Sequence, residues 1–332
     1  MKIRIFSRED VPKAVALWNA CVSNGQMLYT PMTDERFCQV FLESPHYRQE
    51  YMIAAFDQKG QRMAGFGAGL LKRSYLQGEN FDNTPAYVTM VLVDPQRQRQ
   101  GIGTRILKEL EHRFQTAGKR KAAITYRNPA ALTWNIPGRA GIQHNNAPGV
   151  FMDSPGYLFF ESQGYRLIRV EEGMYLPLAG YELPEKIRKR QETLRKNGIE
   201  TGLFDPEKHK GFEELFDALG GEVWRQTIRD NLKRGNPLPV LVASDRGKIV
   251  GFAGPIDREE NGRGWFNGIG THPDYEGQGI ASVLFYCLME KFASIGAQYS
   301  TLFTDEENPA MFLYRSAGFT TGARFGVMEK EV

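Results

Sequence analysis

Two segments of this chain, displaced by 178 residues, carry matching residues in matching order. VLVDPQRQRQGIGTRILKELEHRFQTAG, from Val91, lines up with IGTHPDYEGQGIASVLFYCLMEKFASIG, from Ile269. The alignment pairs Pro95 with Pro273, Gly101 with Gly279 and Gly118 with Gly296. It also pairs Ile102 with Ile280, Ile106 with Leu284, Leu110 with Leu288 and Phe114 with Phe292. Apolar residues every fourth position lie on one face of an amphipathic helix. Chance rarely sets glycines, prolines and a buried face in one register, so the chain builds one fold twice.

The flanks repeat too. A hairpin-like strand pair precedes each loop, YMIAAFD with RMAGFGAGLL and PVLVASD with KIVGFAG. A short apolar strand follows each helix, AAITY or YSTLF, then a short helix ending in Gly-aromatic at Gly164-Tyr165 and Gly318-Phe319. Each half opens with helices; in the first, Ser7 and Thr33 are placed as N-caps. The expected fold is α/β, a mixed sheet with helices on both faces, twice over. A first domain is expected over 1–180, a connecting helix over 181–197 and a second domain over 198–332.

At 332 residues the chain exceeds what one hydrophobic core usually serves. A net charge of +3 is too small to imply nucleic acid or an anionic membrane as partner. The basic stretch Lys186–Lys196 is interrupted by Glu192 and reads as a solvated helix face. Cys21, Cys38 and Cys287 have no metal-ligand spacing, so neither a disulfide framework nor a metal site is expected. No run of about 18 apolar residues occurs, so no membrane span is expected and a cytoplasmic location is.

A helix starting straight after a strand presents unpaired backbone N–H groups and the positive end of its dipole. Glycines there let a ligand approach the main chain, which makes a site suited to phosphate or pyrophosphate. Gln98-Arg99-Gln100-Gly101-Ile102-Gly103, followed by Thr104, has this form; so does Glu276-Gly277-Gln278-Gly279-Ile280-Ala281, followed by Ser282. A dinucleotide fingerprint needs a third glycine where Ile106 and Leu284 stand, and the Gly-Lys-Ser/Thr of a P-loop is absent. The run Gly65-Phe-Gly-Ala-Gly69 continues as a strand and reads as crowding inside a sheet.

At these residues the chain resembles the GCN5-related N-acetyltransferase (GNAT) superfamily in tandem form. The family signature, Gln/Arg-x-x-Gly-x-Gly/Ala, is met fully from Gln98 to Gly103; in the second copy Glu276 departs from it while Gly279 and Ala281 match. A later motif, Asn then Ala, Tyr and Gly-Phe, is similar to Asn308 through Tyr314 to Gly318-Phe319. The resemblance implies acetyl-CoA as donor and an amine of a small molecule or peptide as acceptor. It puts pyrophosphate on the glycine loops, and pantetheine along Val91 to Val93 and Ile269 to Thr271. The same resemblance implies that a backbone N–H would polarise the acetyl carbonyl and that Tyr314 would protonate the departing thiolate.

The copies differ. Gly164 aligns with Gly318 at a displacement of 154, so the first copy holds about 24 extra residues within Asn128–Asp153. Trp134, Ile136, Val150 and Phe151 argue for a packed loop that lines an acceptor pocket or plugs a domain interface; His144 within it reads more readily as solvated than as a base. At the position of Tyr314 the first copy has Phe160, which cannot donate a proton, so catalysis is expected in the second copy. Thr89 and Asn267 stand where a carboxylate base would be sought; Asp305, Glu306 and Glu307 are candidates for that base, but read more readily as a solvated turn capping the next helix. The rival reading is a non-catalytic acyl-CoA-binding sensor or scaffold. A homodimer stays open, since the two copies can already pair with one another.

Overall fold

The computed structural model describes residues 1–25 and 27–332. In chain order the main strands are β1 (Lys2–Ile5), β2 (Met52–Phe56), β3 (Met63–Leu71), β4 (Ala86–Val93), β5 (Lys121–Ile124) and β6 (Arg166–Pro177). They continue with β7 (Ile199–Leu203), β8 (Leu241–Asp245), β9 (Lys248–Ala253), β10 (Arg263–Gly264), β11 (Ile269–Thr271), β12 (Tyr299–Asp305) and β13 (Thr320–Glu331). The helices are α1 (Val11–Ser23), α2 (Asp34–Phe37), α3 (Ile102–Thr116), α4 (Pro155–Ser162) and α5 (Glu185–Lys196). After them come α6 (Phe212–Leu219), α7 (Glu222–Leu232), α8 (Ile280–Ser294) and α9 (Met311–Ser316).

The chain forms two compact units. The first comprises Met1–Gly173, Phe303–Glu307 and Thr321–Val332; the second comprises Met174–Leu302 and Asn308–Thr320.

In the first unit β1, β2, β3 and β4 pair antiparallel in chain order, and β5 lies parallel to β4. The next strand comes from the far end of the chain: β13 pairs antiparallel with β5, Met328 facing Ile124 and Glu331 facing Lys121. Helices cover both faces. Phe6, Trp18, Phe37, Phe41 and Phe66 fill the core under α1 and α2. Ile102, Ile106, Leu110 and Phe114 of α3 fill the other, together with Met328. The glycines of β3 let α3 settle close: a Cβ at Gly67 would lie 2.3 Å from Ile106 Cγ2 and one at Gly69 2.5 Å from Phe114 Cζ.

Ser7 and Asp10 make a capping box ahead of α1, and the Thr33 side chain accepts from the Arg36 N–H. The inserted segment is folded. Trp134 is fully buried, pairs with His144 across a two-residue ladder and meets the Phe325 ring at 4.8 Å. His144 is itself 5% exposed rather than solvated, because the ring packs between Trp134 and Phe303.

In the second unit β7, β8, β9 and β11 form an antiparallel sheet, and β10 pairs in parallel with β12. Ile280, Leu284, Leu288 and Phe292 of α8 lie buried against one core, with Ile187 and Leu194 of α5 in the same cluster. Phe216, Ile228, Val242 and Phe252 form a second core under α6 and α7. Burying a Leu, Ile or Phe side chain contributes about 1.5–3 kcal/mol, so these repeated faces give each helix its seat.

Candidate active site

Each glycine loop has the same backbone form. Asp94 ends its strand and its Oδ1 accepts from the Gln96 N–H at 3.0 Å, turning the chain into the short helix Pro95–Arg97. His272 does the same through Nδ1, accepting from the Asp274 N–H at 3.2 Å ahead of Pro273–Tyr275. Gln98 and Glu276 then lie in extended conformation.

Left-handed residues follow at Arg99 (φ 59°) and Gly101 (φ 75°), and at Gly277 (φ 75°) and Gly279 (φ 85°). Alternation of this kind turns successive N–H groups to one side and makes a concave anion seat. Gly101 and Gly279 are the N-caps of α3 and α8, and glycine has no side chain with which to cap. The N–H groups at each loop and helix start therefore face a prospective ligand.

The loops differ in what lies over them. A Cβ placed on Gly101 would meet nothing within 4 Å. One placed on Gly279 would lie 2.6 Å from Cδ and 3.0 Å from Nε of Arg190, an exposed residue of α5. Arg190 thus lays a cation across the loop that carries Glu276. Sequence reasoning took Lys186–Lys196 as a solvated face and missed it. The signal was the basic run itself, and only packing against α8 could assign one of its members to the loop.

Ahead of each loop the sheet parts. In the first unit β4 and β5 pair at Ala86–Ala122 and Tyr87–Ala123, leaving Val88 and Met90 to Val93 paired with β3 alone. In the second unit the corresponding stretch is split: Arg263 and Gly264 pair with β12, whereas Ile269, Gly270 and Thr271 pair with β9. Val91 and Val93 pack on the α3 side and Ile269 on the α8 side. The Val93 carbonyl accepts a long 3.6 Å contact from the Cys21 thiol, which burial pushes up to about 11.

The partings differ in polarity. Thr89 Oγ1 accepts from Asn128 Nδ2 at 3.1 Å. Its second-copy counterpart is Asn267, whose Nδ2 is buried with no hydrogen-bond partner among the described residues. Thr271 Oγ1, the counterpart of Val93, is orphaned in the same way. Buried polar atoms are nearly always paired, and two orphans on one short stretch beside a parted sheet mark a place where a polar ligand fits.

Asn128 and Asn308 each accept from the N–H two residues on, Ala130 at 3.0 Å and Ala310 at 2.9 Å. The repeated Asn-Pro-Ala at 128–130 and 308–310 makes Asn128 the counterpart of Asn308, a correspondence that sequence reasoning overlooked.

Tyr314 is 6% exposed, its ring 5.1 Å from Phe285 and 6.2 Å from Phe266. Burial pushes its hydroxyl up to about 12. Phe160 holds the equivalent place in the first unit, against Tyr165 at 5.3 Å. Asp305 lies 3.8 Å from Arg169 and accepts from the Glu307 N–H, and Glu306 pairs with Arg324. These carboxylates belong to the first unit and find their partners within it.

The acetyltransferase (GNAT) family model matches this chain twice, over residues 19–133 and 204–319. Mycothiol acetyltransferase of Thermobifida fusca (strain YX) is 28% identical over 254 residues, 69% of this chain and 70% of that protein. Two solved structures share the fold at lower identity. A GCN5-related glucosamine N-acetyltransferase region of a fungal multi-domain GH3 β-N-acetylglucosaminidase superposes with TM-score 0.71 and 16% identity, covering 99% of this chain and 38% of that one. A tandem GNAT protein from the clavulanic acid biosynthesis pathway gives TM-score 0.58 and 15% identity, covering 99% and 98%. Among the described residues no helix is long and apolar enough to cross a membrane. With two parted sheets, two glycine loops of one backbone form and a family match over both copies, the chain belongs to the acetyltransferase (GNAT) family and carries two of its domains.

Proposed function

We propose that the protein is an acetyl-CoA-dependent N-acetyltransferase in which the second unit carries out transfer to an amine of a small molecule or peptide. The observation that supports placing catalysis there is the pair of buried orphans, Asn267 Nδ2 and Thr271 Oγ1, on the stretch that follows Phe266, whose ring meets Tyr314 at 6.2 Å; the first unit has Thr89, Val93 and Phe160 instead.

The residues present fit the donor. Acetyl-CoA supplies an activated acetyl thioester with a long polar tail. Backbone N–H groups from Gly277 to Ser282 would hold its pyrophosphate, with Gln278, Ile280 and Ala281 in the same turn and Arg190 adding positive charge. Thr271 and Ile269 would line its pantetheine arm, and Asn308 ends the segment before α9. In the first unit Gln98 to Thr104 would form the equivalent seat, with Val91 and Val93 beside it. Tyr314 keeps its proton at neutral pH and so can donate a hydrogen bond, then the proton, to a departing thiolate. Burial that raises its pKa also makes it the weaker acid, so positioning against the sulfur matters more than acidity.

The test is calorimetric titration of acetyl-CoA into the full chain and into Gly101→Glu and Gly279→Glu. Loss of one binding event in each variant supports two donor sites; no binding to the wild type would sink the reading. Turnover of amines in a free-thiol assay then separates an enzyme from a sensor. An enzyme loses turnover in Tyr314→Phe while still binding donor, and a sensor has none to lose.

A further inference from the structure

We propose that the side-chain amide of Asn267 donates a hydrogen bond to the acetyl carbonyl oxygen, supplying an oxyanion donor beyond the main chain; this rests on reading the second unit as the transfer site. Ala68 faces Met90 and Gly69 faces Val88, so Thr89 is the extra residue of a bulge in β4. Met90 packs into the core under α1 and Val88 into the core under α3. A bulge residue interrupts that alternation and is re-aimed. Thr89 is aimed toward the segment after β5, as its bond to Asn128 records.

Asn267 stands at the same register of the second copy. Phe266 packs with the α8 core, as Val88 does with that of α3. A Cβ on Gly268 would meet Trp224 Nε1 at 2.4 Å, on the α7 side, as Met90 is on the α1 side. Between them Asn267 takes the re-aimed position, between β10, which pairs with β12, and β11, which pairs with β9. Its Nδ2 is buried and, among the described residues, unpartnered. In the first unit the corresponding group is already bonded within the protein. In the second it is held ready.

An amide nitrogen only donates, so it selects an oxygen lone pair. The attacking amine needs its own lone pair free and gains nothing from a donor. The acetyl oxygen does gain. As the amine nitrogen forms the C–N bond, the carbonyl π pair moves to that oxygen, where Asn267 meets the growing charge. The pair returns as the C–S bond breaks, the thiolate takes the Tyr314 proton, the surplus amine proton passes to solvent, and Tyr314 regains a proton from solvent. A preorganised donor aimed at developing charge accelerates the step without strengthening ground-state binding to the same degree.

The test is isotope-edited infrared spectroscopy of acetyl-CoA carrying 13C at the carbonyl, bound to the wild-type full chain, Asn267→Ala and Asn267→Asp. A wild-type carbonyl band moved to lower wavenumber, with that component lost in both variants at equal donor loading, supports the proposal. Alongside it, kcat should fall about 100-fold with acceptor KM little changed. Asn267→Asp keeps the side-chain size, so it answers the question if Asn267→Ala fails to fold. Variants with an unchanged carbonyl band and unchanged kcat would overturn the donor role while leaving the acetyltransferase reading intact. A wild type with no bound donor would overturn both.

Discussion

Lys330 places its Nζ 2.9 Å from both carboxylate oxygens of Glu111, tying the strand next to β5 to helix α3 within the first unit. The two residues lie 219 positions apart in the chain, so the first domain's sheet is finished by the last strand of the second sequence copy. Glu111 is 8% exposed, and removing its cation leaves a carboxylate in poor solvent. Lys330→Ala should therefore cost about 1–3 kcal/mol in urea unfolding. Lys121→Ala breaks the more exposed pair with Glu329 and should cost under about 1 kcal/mol. Equal losses from both would mean that burial of Glu111 adds nothing to its pair with Lys330.

Met328 has no exposed surface and lies in the α3 core. Met328→Ala should destabilise by about 2–5 kcal/mol. Hydrogen exchange should show the loss in β5, whose ladder partner is β13. Retained protection at Ala122 and Ala123 would show that β13 is dispensable there.

Arg190 lies across the second glycine loop, where Glu276 weakens the attraction for an anion. Arg190→Ala should lower acetyl-CoA affinity of the second site about 3- to 10-fold at low salt and less at high salt, since exposed charge is screened. Glu276→Gln should raise it. Tighter binding in Arg190→Ala would mean that the side chain blocks the loop rather than serving it.

Arg99 adopts the left-handed conformation that Gly277 takes in the second copy. A side chain there costs on the order of 1 kcal/mol, and more if β-branched. Arg99→Val should destabilise by about 1–2 kcal/mol. Arg99→Gly should be near neutral in melting, because relief of strain is offset by a looser unfolded chain. A stabilised Arg99→Val would show that the loop does not hold this geometry in solution.

The Tyr314 hydroxyl, raised from 10 to about 12 by burial, is neutral in the folded chain where an unfolded tyrosine ionises. Its contribution to stability is whole below about pH 10 and fades as pH rises toward 12. Tyr314→Phe should therefore flatten the alkaline fall of melting temperature, and kcat should show no limb from Tyr314 below about pH 11. A tyrosinate absorbance change near pH 9 that is missing from Tyr314→Phe would contradict the burial of this hydroxyl.

Residues close together in the chain were legible in advance. The glycine loops, their helices and the hairpins before them were placed from local pattern alone, because turn geometry and a four-residue apolar stripe are written in neighbouring positions. Burial of all eight stripe residues, Ile102 to Phe114 and Ile280 to Phe292, follows from that pattern. The crowding at Gly67 and Gly69 was legible for the same reason.

Three features had no local signature. Arg190 is one of several cations on α5, and only packing against α8 selects it. His144 reads as a polar loop residue until Trp134 and Phe303 enclose it. Asn267 and Thr89 looked alike as missing bases; their difference lies in whether Asn128 reaches one of them across a parted sheet. Local pattern was enough to place a duplicated fold with two glycine turns of one backbone form, since short-range sterics and periodicity suffice for that. Which strand completes the first sheet, and which buried polar groups have no partner among the described residues, depends instead on contacts between residues far apart in the chain, and only the fold supplies those.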